Sequence, residues 1–211
     1  MNIIQDNFLI KRTSIEYTEK ILTDNPNWKI LDIGCGYNAN KFATSVSDVL
    51  DLSDFYKNKT FVRITEKKLP FKDKEFDFVI ASHVLEHVED PSFFLKELSR
   101  ISQKGYIEVP TKLEDNLVFE NKKAHLWHLR FDDVKNSLLI SKKIQHFEPI
   151  LTVGTIKKLN SYFRESLVIE LSWEDNIEFN IIENFSTPLE KISILNLFKK
   201  YFSKKIRLLF K

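Results

Sequence analysis

Apolar positions along this chain keep two rhythms, and the alternation between them sketches the fold. Ile30-Leu31-Asp32-Ile33 and Phe76-Asp77-Phe78-Val79-Ile80-Ala81-Ser82 are short, nearly continuous apolar runs, the pattern of strands covered on both faces. The first predicts a strand over Lys29–Ile33 and the second a strand over Phe76–Ser82. Asp48–Leu52, alternating and ending in Asp51, reads as a strand between them, followed by another over Phe61–Thr65. Helical spacing separates these runs. Thr13–Thr23 reads as an opening helix, with Thr13 and Glu16 spaced as a capping box and Ile15, Ile21 and Leu22 on its apolar side. Ala39–Thr44 reads as a short helix after the first strand. Asp90 caps a further helix with Pro91 at its first position and Phe93, Phe94, Leu95, Leu98 and Ile101 as the buried face. Gly105–Val109 is a fifth strand, stopped by Pro110. Strands alternating with helices from residue 13 to 110 predict an α/β protein with a parallel sheet.

Beyond Pro110 the pattern predicts helices over Phe131–Ile140 and Thr155–Phe163. Two strands, Ser166–Trp173 and Ile177–Ile182, read as an antiparallel hairpin around a Trp-Glu-Asp-Asn turn that closes the sheet. The chain of 211 residues, 43% hydrophobic and 29% charged, suits one principal domain. We place that domain at 28–185, an N-terminal helical segment at 1–27 and a C-terminal helix at 189–211. The formal net charge of +2 is too small to point to nucleic acid. With Cys35 as the lone cysteine there is no disulfide within the chain, which fits a reducing compartment. An early acid and a short apolar run argue against a signal peptide, and no stretch has the apolar length of a membrane span. The expectation is a soluble, cytoplasmic protein.

The chemistry begins where the first strand ends. Trp28-Lys-Ile-Leu-Asp-Ile-Gly-Cys-Gly-Tyr-Asn38 runs a buried strand into a glycine turn, the entry to a nucleotide-type pocket in an open α/β sheet. Three blocks then occur in order: Ile-Leu-Asp-Ile-Gly-Cys-Gly-Tyr-Asn, Val-Leu-Asp-Leu-Ser-Asp-Phe-Tyr, and Leu-Pro-Phe-Lys-Asp-Lys-Glu-Phe-Asp-Phe-Val-Ile-Ala-Ser-His-Val-Leu-Glu-His-Val-Glu-Asp-Pro. In these, over residues 28–111, the sequence resembles the class I S-adenosylmethionine-dependent methyltransferases, specifically the type 11 group.

The resemblance implies a doubly wound, mostly parallel seven-stranded Rossmann-like sheet with an antiparallel closing strand, and S-adenosylmethionine as cofactor. It implies that Asp32, Gly34 and Gly36 line the methionine end and that Asp51 holds the ribose hydroxyls. Leu52 and Thr65 would lie toward the adenine, and Ser82 and His83 would border the sulfonium. Two departures stand out: Asn38 occupies a frequent glycine position, and Thr65-Glu66 stands where an Asp often precedes Leu-Pro-Phe. Cys35 is read as a small filler of the turn rather than a nucleophile.

Four of the five histidines fall into two groups. His83-Val-Leu-Glu86-His87 matches a zinc-peptidase pattern, but here it follows a strand where the resembled family commonly has Leu-Glu-His-Val. A divalent metal on His83, Glu86, His87 and His128 is the secondary reading, and the metal-free one is preferred. His128, His125 and His87 are then the candidate catalytic bases, because an imidazole accepts a proton near neutral pH. Trp127 and Arg130 stand ready to stack on a sugar or grip a phosphate; the alternative for Trp127 is a plug in the core.

From Ile194 to Lys211 the chain is amphipathic at helical spacing. Leu195, Phe198, Phe202, Ile206 and Leu209 lie on one side, and Lys199, Lys200, Lys204, Arg207 and Lys211 on the other. The expected function is methyl transfer to an oxygen of a small or carbohydrate-linked acceptor, in a surface-glycan setting. Quinone or lipid methylation at a membrane, and a non-catalytic cofactor-binding scaffold, are the alternatives. Nucleic acid is not an expected partner. A peripheral membrane contact or a homo-oligomer through the C-terminal helix is.

Overall fold

The computed structural model describes residues 9–183 and 192–209. Strand β1 (Ile10–Arg12) and helix α1 (Ile15–Asp24) lead into β2 (Ile30–Ile33), β3 (Ser45–Asp48), β4 (Thr60–Arg63) and β5 (Phe78–Ser82). Helix α2 (Pro91–Ile101), β6 (Lys104–Pro110), α3 (Lys112–Leu117) and α4 (Asn121–Ala124) follow. The chain continues through β7 (Trp127–Asp132), β8 (Ser137–Lys142), α5 (Val153–Leu167), β9 (Val168–Glu174), β10 (Phe179–Ile181) and α6 (Ile194–Leu209). Seven strands form one sheet in the order β1-β9-β6-β5-β2-β3-β4, and β10-β8-β7 form a second, smaller one. In the main sheet β6, β5, β2, β3 and β4 pair in parallel, and β9 runs antiparallel between β6 and β1. This is the expected doubly wound, mostly parallel sheet with an antiparallel strand closing it.

Strand alternation divides the core between the two faces. Leu31, Ile33, Val79, Ala81, Ile107 and Val109 pack with Leu95, Leu98 and Ile101 of α2 and with Leu129, Leu138 and Ile140 of the small sheet. Ile30, Phe78, Ile80 and Tyr106 point the other way, toward Leu22 of α1 and the Cys35–Tyr56 region. β6 and β9 come close at one pair of residues. Gly105 pairs with Trp173, and a Cβ on the glycine would sit 2.6 Å from the indole ring.

Several predicted elements are corrected. The cap of α1 is Ser14, whose hydroxyl accepts the Tyr17 N–H at 3.3 Å; the Thr13 hydroxyl instead lies 2.6 Å from that of Ser172. Residues 39–44 turn rather than coil into a helix, with the Asn40 side-chain oxygen accepting the Phe42 N–H at 3.0 Å. The second strand is Ser45–Asp48, not Asp48–Leu52. Val49 and Leu50, read as its apolar positions, are mostly exposed, whereas the strand buries Ser45, Val46 and Ser47.

The helix predicted over Phe131–Ile140 is a hairpin of β7 and β8. Its apolar residues Leu129, Phe131, Leu138 and Ile140 face the core on alternate positions. Its turn is fixed by the Asp132 carboxylate accepting the Val134 and Lys135 N–H groups and by Asn136 at φ +47°. β9 and β10 do not form a hairpin with each other, since β10 pairs in parallel with β8. The N-terminal segment is no helical appendage alone: β1 supplies an edge strand of the main sheet.

Candidate active site

Parallel strands deliver their carboxyl ends to one edge of the sheet, and the glycine turn sits there. Gly34 and Gly36 have φ of +69° and +50°, in the left-handed region that an L side chain enters at a cost. The turn is sewn to the next strand. Gly34 N–H donates to the Ser47 carbonyl at 2.7 Å, and Gly36 N–H donates to the Asp48 carboxylate at 2.9 Å. The Tyr56 hydroxyl donates to the Gly36 carbonyl at 2.8 Å and accepts the Ala39 N–H at 3.0 Å. A Cβ at Gly34 would stand 2.4 Å from Cγ2 of Val84, whereas one at Gly36 would meet open space. Gly34 is thus required by packing as well as by conformation, and Gly36 leaves a backbone open to a close approach.

Beside the turn lies a cleft of about 840 Å³, within the usual size of a small-molecule site. Gly34, Asp48, Arg63, Thr65, His83 and His87 supply its polar wall, and Ile33, Val84, Val88, Phe93 and Phe94 much of its apolar one. Of the expected cofactor-binding residues, Gly34, Thr65 and His83 line this cleft. Asp51 does not, and this corrects its expected place at a strand end. It lies past the end of β3, fully exposed, accepting from the Ser53 hydroxyl at 2.7 Å. The strand-end carboxylate is Asp48, which accepts both the Gly36 and Leu50 N–H groups at 2.9 Å.

Asp32 is buried on the α1 side and accepts the Asn40 N–H at 2.6 Å; burial outweighs that bond and pushes its carboxyl up to about 6. Leu52 is a core residue beside Tyr56, and Ser82, half-buried, ends β5 away from the cleft wall. Cys35 is buried, and its burial pushes the thiol up to about 11, which suits a filler and not a nucleophile.

The histidines separate into three roles. His83, just past β5 at φ +55°, places Nδ1 3.3 Å from a Glu86 oxygen and Nε2 3.1 Å from a Glu108 oxygen. Burial lowers its pKa, but Glu108 and Glu86 together outweigh burial and raise it to about 10, so His83 is an imidazolium at neutral pH. Glu108 reaches this spot because β6 pairs Glu108 with Ser82 of β5. Its other oxygen meets Arg164, which also lies 2.9 Å from Glu170, and the Tyr106 hydroxyl lies 2.7 Å from both carboxylates.

His87, exposed on the cleft wall, sets Nδ1 3.0 Å from the Ala124 carbonyl. A carbonyl only accepts, so Nδ1 carries the hydrogen and Nε2 keeps its lone pair. Partial burial lowers this imidazole below the ordinary histidine value, which keeps it neutral near pH 7.

His125 and His128 are buried and face a single carboxylate. His125 Nδ1 lies 2.7 Å from one Asp115 oxygen and His128 Nε2 lies 2.9 Å from the other. Lys143 Nζ joins them at 2.8 Å. Neither histidine lines the cleft, so both expected bases are corrected to structural members of this cluster. Trp127 takes the core alternative: its indole is buried and its N–H donates to the Val88 carbonyl at 2.8 Å. Arg130 points to solvent from β7.

The expected metal set is not assembled as a unit. Among the described residues, the ligand atoms that converge belong to Glu86, His87 and His125, all within 4.8 Å of one another. Their nitrogen and carboxylate chemistry suits a divalent first-row cation.

Sequence reasoning missed Asp48, Glu108, Asp115 and Arg164. Glu108 had a signal in its pattern, a lone carboxylate in an otherwise apolar buried strand. Glu114, also missed, is buried, and burial pushes its carboxyl up to about 7.

Comparison with known proteins agrees with the sheet and the glycine turn. Residues 31–107 match the family model described as a methyltransferase domain. An uncharacterized protein of Methanocaldococcus jannaschii is 29% identical over 47% of this chain and 50% of its own length. A ubiquinone biosynthesis O-methyltransferase of Pelagibacter ubique is 31% identical over 47% of this chain and 46% of its own. The chain therefore spans about half the length of the curated relatives it matches. Among solved structures, a SAM-dependent methyltransferase of Thermotoga maritima aligns over 72% of this chain and 84% of its own, at 16% identity and a TM-score of 0.42. The stretch that holds the strand, the glycine turn, the cleft and the His83–His87 segment thus matches the methyltransferase-domain family.

Proposed function

We propose that this chain transfers a methyl group from S-adenosylmethionine to a hydroxyl oxygen of a small acceptor, with His87 as the proton acceptor. The observation that carries the reading is His87 itself. It is a neutral imidazole on the cleft wall, its Nδ1–H held by the Ala124 carbonyl and its Nε2 lone pair free. When bound, the cofactor supplies a methyl group on a cationic sulfur, an electrophile that needs alignment more than activation.

The residues fit such a group. Gly34 and Gly36 let backbone come close to it, and Asp48 is the strand-end carboxylate on the cleft wall that can accept from ribose hydroxyls. His83, charged and pinned between two carboxylates, keeps its place at the end of β5 with both N–H groups committed to them, and it is no base. An acceptor hydroxyl must lose its proton as its oxygen gains the methyl group, and His87 Nε2 is placed to take it.

The type of atom methylated is supported by the Pelagibacter relative, which is named as an O-methyltransferase. A carbohydrate-linked acceptor remains our first class, although the Trp127 ring that favoured it from sequence is sealed in the core. A hydroxyl on a quinol or other membrane-borne molecule is the second reading, favoured by the same relative's name and by the basic helix α6.

Transfer from labelled S-adenosylmethionine to sugar nucleotides, phosphorylated sugars and quinols tests the reading. His87→Gln should lower kcat by about 10²–10⁴-fold with cofactor affinity kept. The wild-type rate should climb with pH through a limb below about 6.5, and that limb should vanish in the variant. Transfer at the wild-type rate by His87→Gln would remove the base assignment. Failure on every hydroxyl acceptor, with transfer to an amine or thiol, would overturn the oxygen reading.

A further inference from the structure

We infer that α6 is a docking element for anionic lipid surfaces. This helix of 16 residues buries none of its side chains against the described residues. Ile194, Leu197, Phe198, Tyr201, Phe202 and Leu209 fall within about half of its circumference, and Phe198, Tyr201 and Phe202 are each more than half exposed. An aromatic and aliphatic face of this extent needs a cover. The same helix carries Lys199, Lys200, Lys204, Lys205 and Arg207 and no acid at all.

Charge selects the occupant. A second copy would bring the same five cations against these five, whereas phosphate-bearing headgroups complement them while acyl chains receive the rings. Four cations flank or oppose the apolar arc. Lys205 lies inside it, with its ammonium 5.7 Å from the centre of the Tyr201 ring, and its long stem can carry the charge up to the headgroups. The helix leaves the body at a short tether, where Ile192 pairs with Phe147 and Ile194 N–H donates to the Glu148 carboxylate at 3.2 Å. No described helix is long and apolar enough to cross a membrane, so the geometry is that of a helix lying in the headgroup plane.

The inference rests on α6 and not on methyl transfer, and its test reads lipid binding. The full chain is sedimented with vesicles of phosphatidylcholine alone and of phosphatidylcholine mixed with phosphatidylglycerol. Binding should be at least about tenfold tighter to the anionic vesicles and should weaken as salt is raised. Phe198→Ser with Phe202→Ser, and separately Lys199→Glu with Lys200→Glu, should each abolish the preference. These side chains are exposed, and circular dichroism with thermal unfolding of the variants serves as the check of folding. Equal binding to both vesicles, no binding, or binding indifferent to both variants would overturn the inference. So would a dimer in sedimentation equilibrium that is lost in Phe198→Ser with Phe202→Ser while vesicles go unbound, an outcome that gives the face to a second copy.

Discussion

His83 shows how much chemistry one residue can take from its neighbours. Its side chain is 41% exposed, yet Glu86 is fully buried behind it and Glu108 nearly so. The imidazolium therefore serves two carboxylates that have lost their water. Because its folded pKa is raised above the ordinary value near 6.5, the stability it contributes is fully present below that value and is lost as pH rises through about 10. Urea unfolding of the wild type and His83→Gln should show a stability gap that is widest near pH 6 and closes as pH approaches 10. A gap that is flat across this range would mean that His83 is neutral and holds its place by other contacts. The same residue sits at φ +55°, a conformation that strains a non-glycine residue and so needs both carboxylates to hold it.

At the scale of elements, Asp115 on α3 is the fastening between the main sheet and the hairpin of β7 and β8. It gathers His125 from the loop, His128 from β7 and Lys143 from beyond β8. Burial raises its carboxyl, but these partners outweigh burial and hold it well below the usual carboxylate range. Its contribution is therefore present above the unfolded value near 3.9 and lost as pH falls through the folded one. Asp115→Asn should destabilise the protein by about 3–5 kcal/mol at neutral pH, because it removes the carboxylate that pairs the buried Lys143 ammonium and holds two buried imidazoles. Thermal or urea unfolding measures this, and a change under about 1 kcal/mol would show that the cluster is not a fastening.

The sequence made α2 legible down to its Asp90 cap, since capping and apolar spacing are local signals. It hid β3, because Ser45 and Ser47 do not look like buried strand residues, and it hid the β7–β8 hairpin behind a run that also fits a helix. Asp115 carried no signal of its own: its partners lie 10, 13 and 28 residues away and meet only in the fold.

Across the whole molecule, the half that precedes Pro110 was readable because strand, turn and cleft are written in one contiguous stretch. The glycine turn and the His83–His87 segment meet at the carboxyl edge of the parallel strands, where the topology alone would put a ligand. The half that follows is built on long-range pairing: α3, the small sheet and α5 assemble from residues far apart, and composition says little about such contacts. The histidines changed meaning for this reason. His125 and His128 were attractive as bases by type and spacing, and the fold turned both toward Asp115. His87, also a candidate from sequence, lines the cleft wall with its Nδ1 held by the Ala124 carbonyl, and it is the base we propose.

We propose that S-adenosylmethionine occupies the cleft between the Gly34–Gly36 turn and the end of β3. Calorimetric titration of the cofactor into the wild type, Asp48→Ala and Asp51→Ala probes this site. Asp48→Ala should weaken binding by about tenfold or more, the value of a hydrogen bond to a charged group, and Asp51→Ala should leave it within about twofold. Loss of binding in Asp51→Ala with none in Asp48→Ala, or no binding by the wild type, would contradict it.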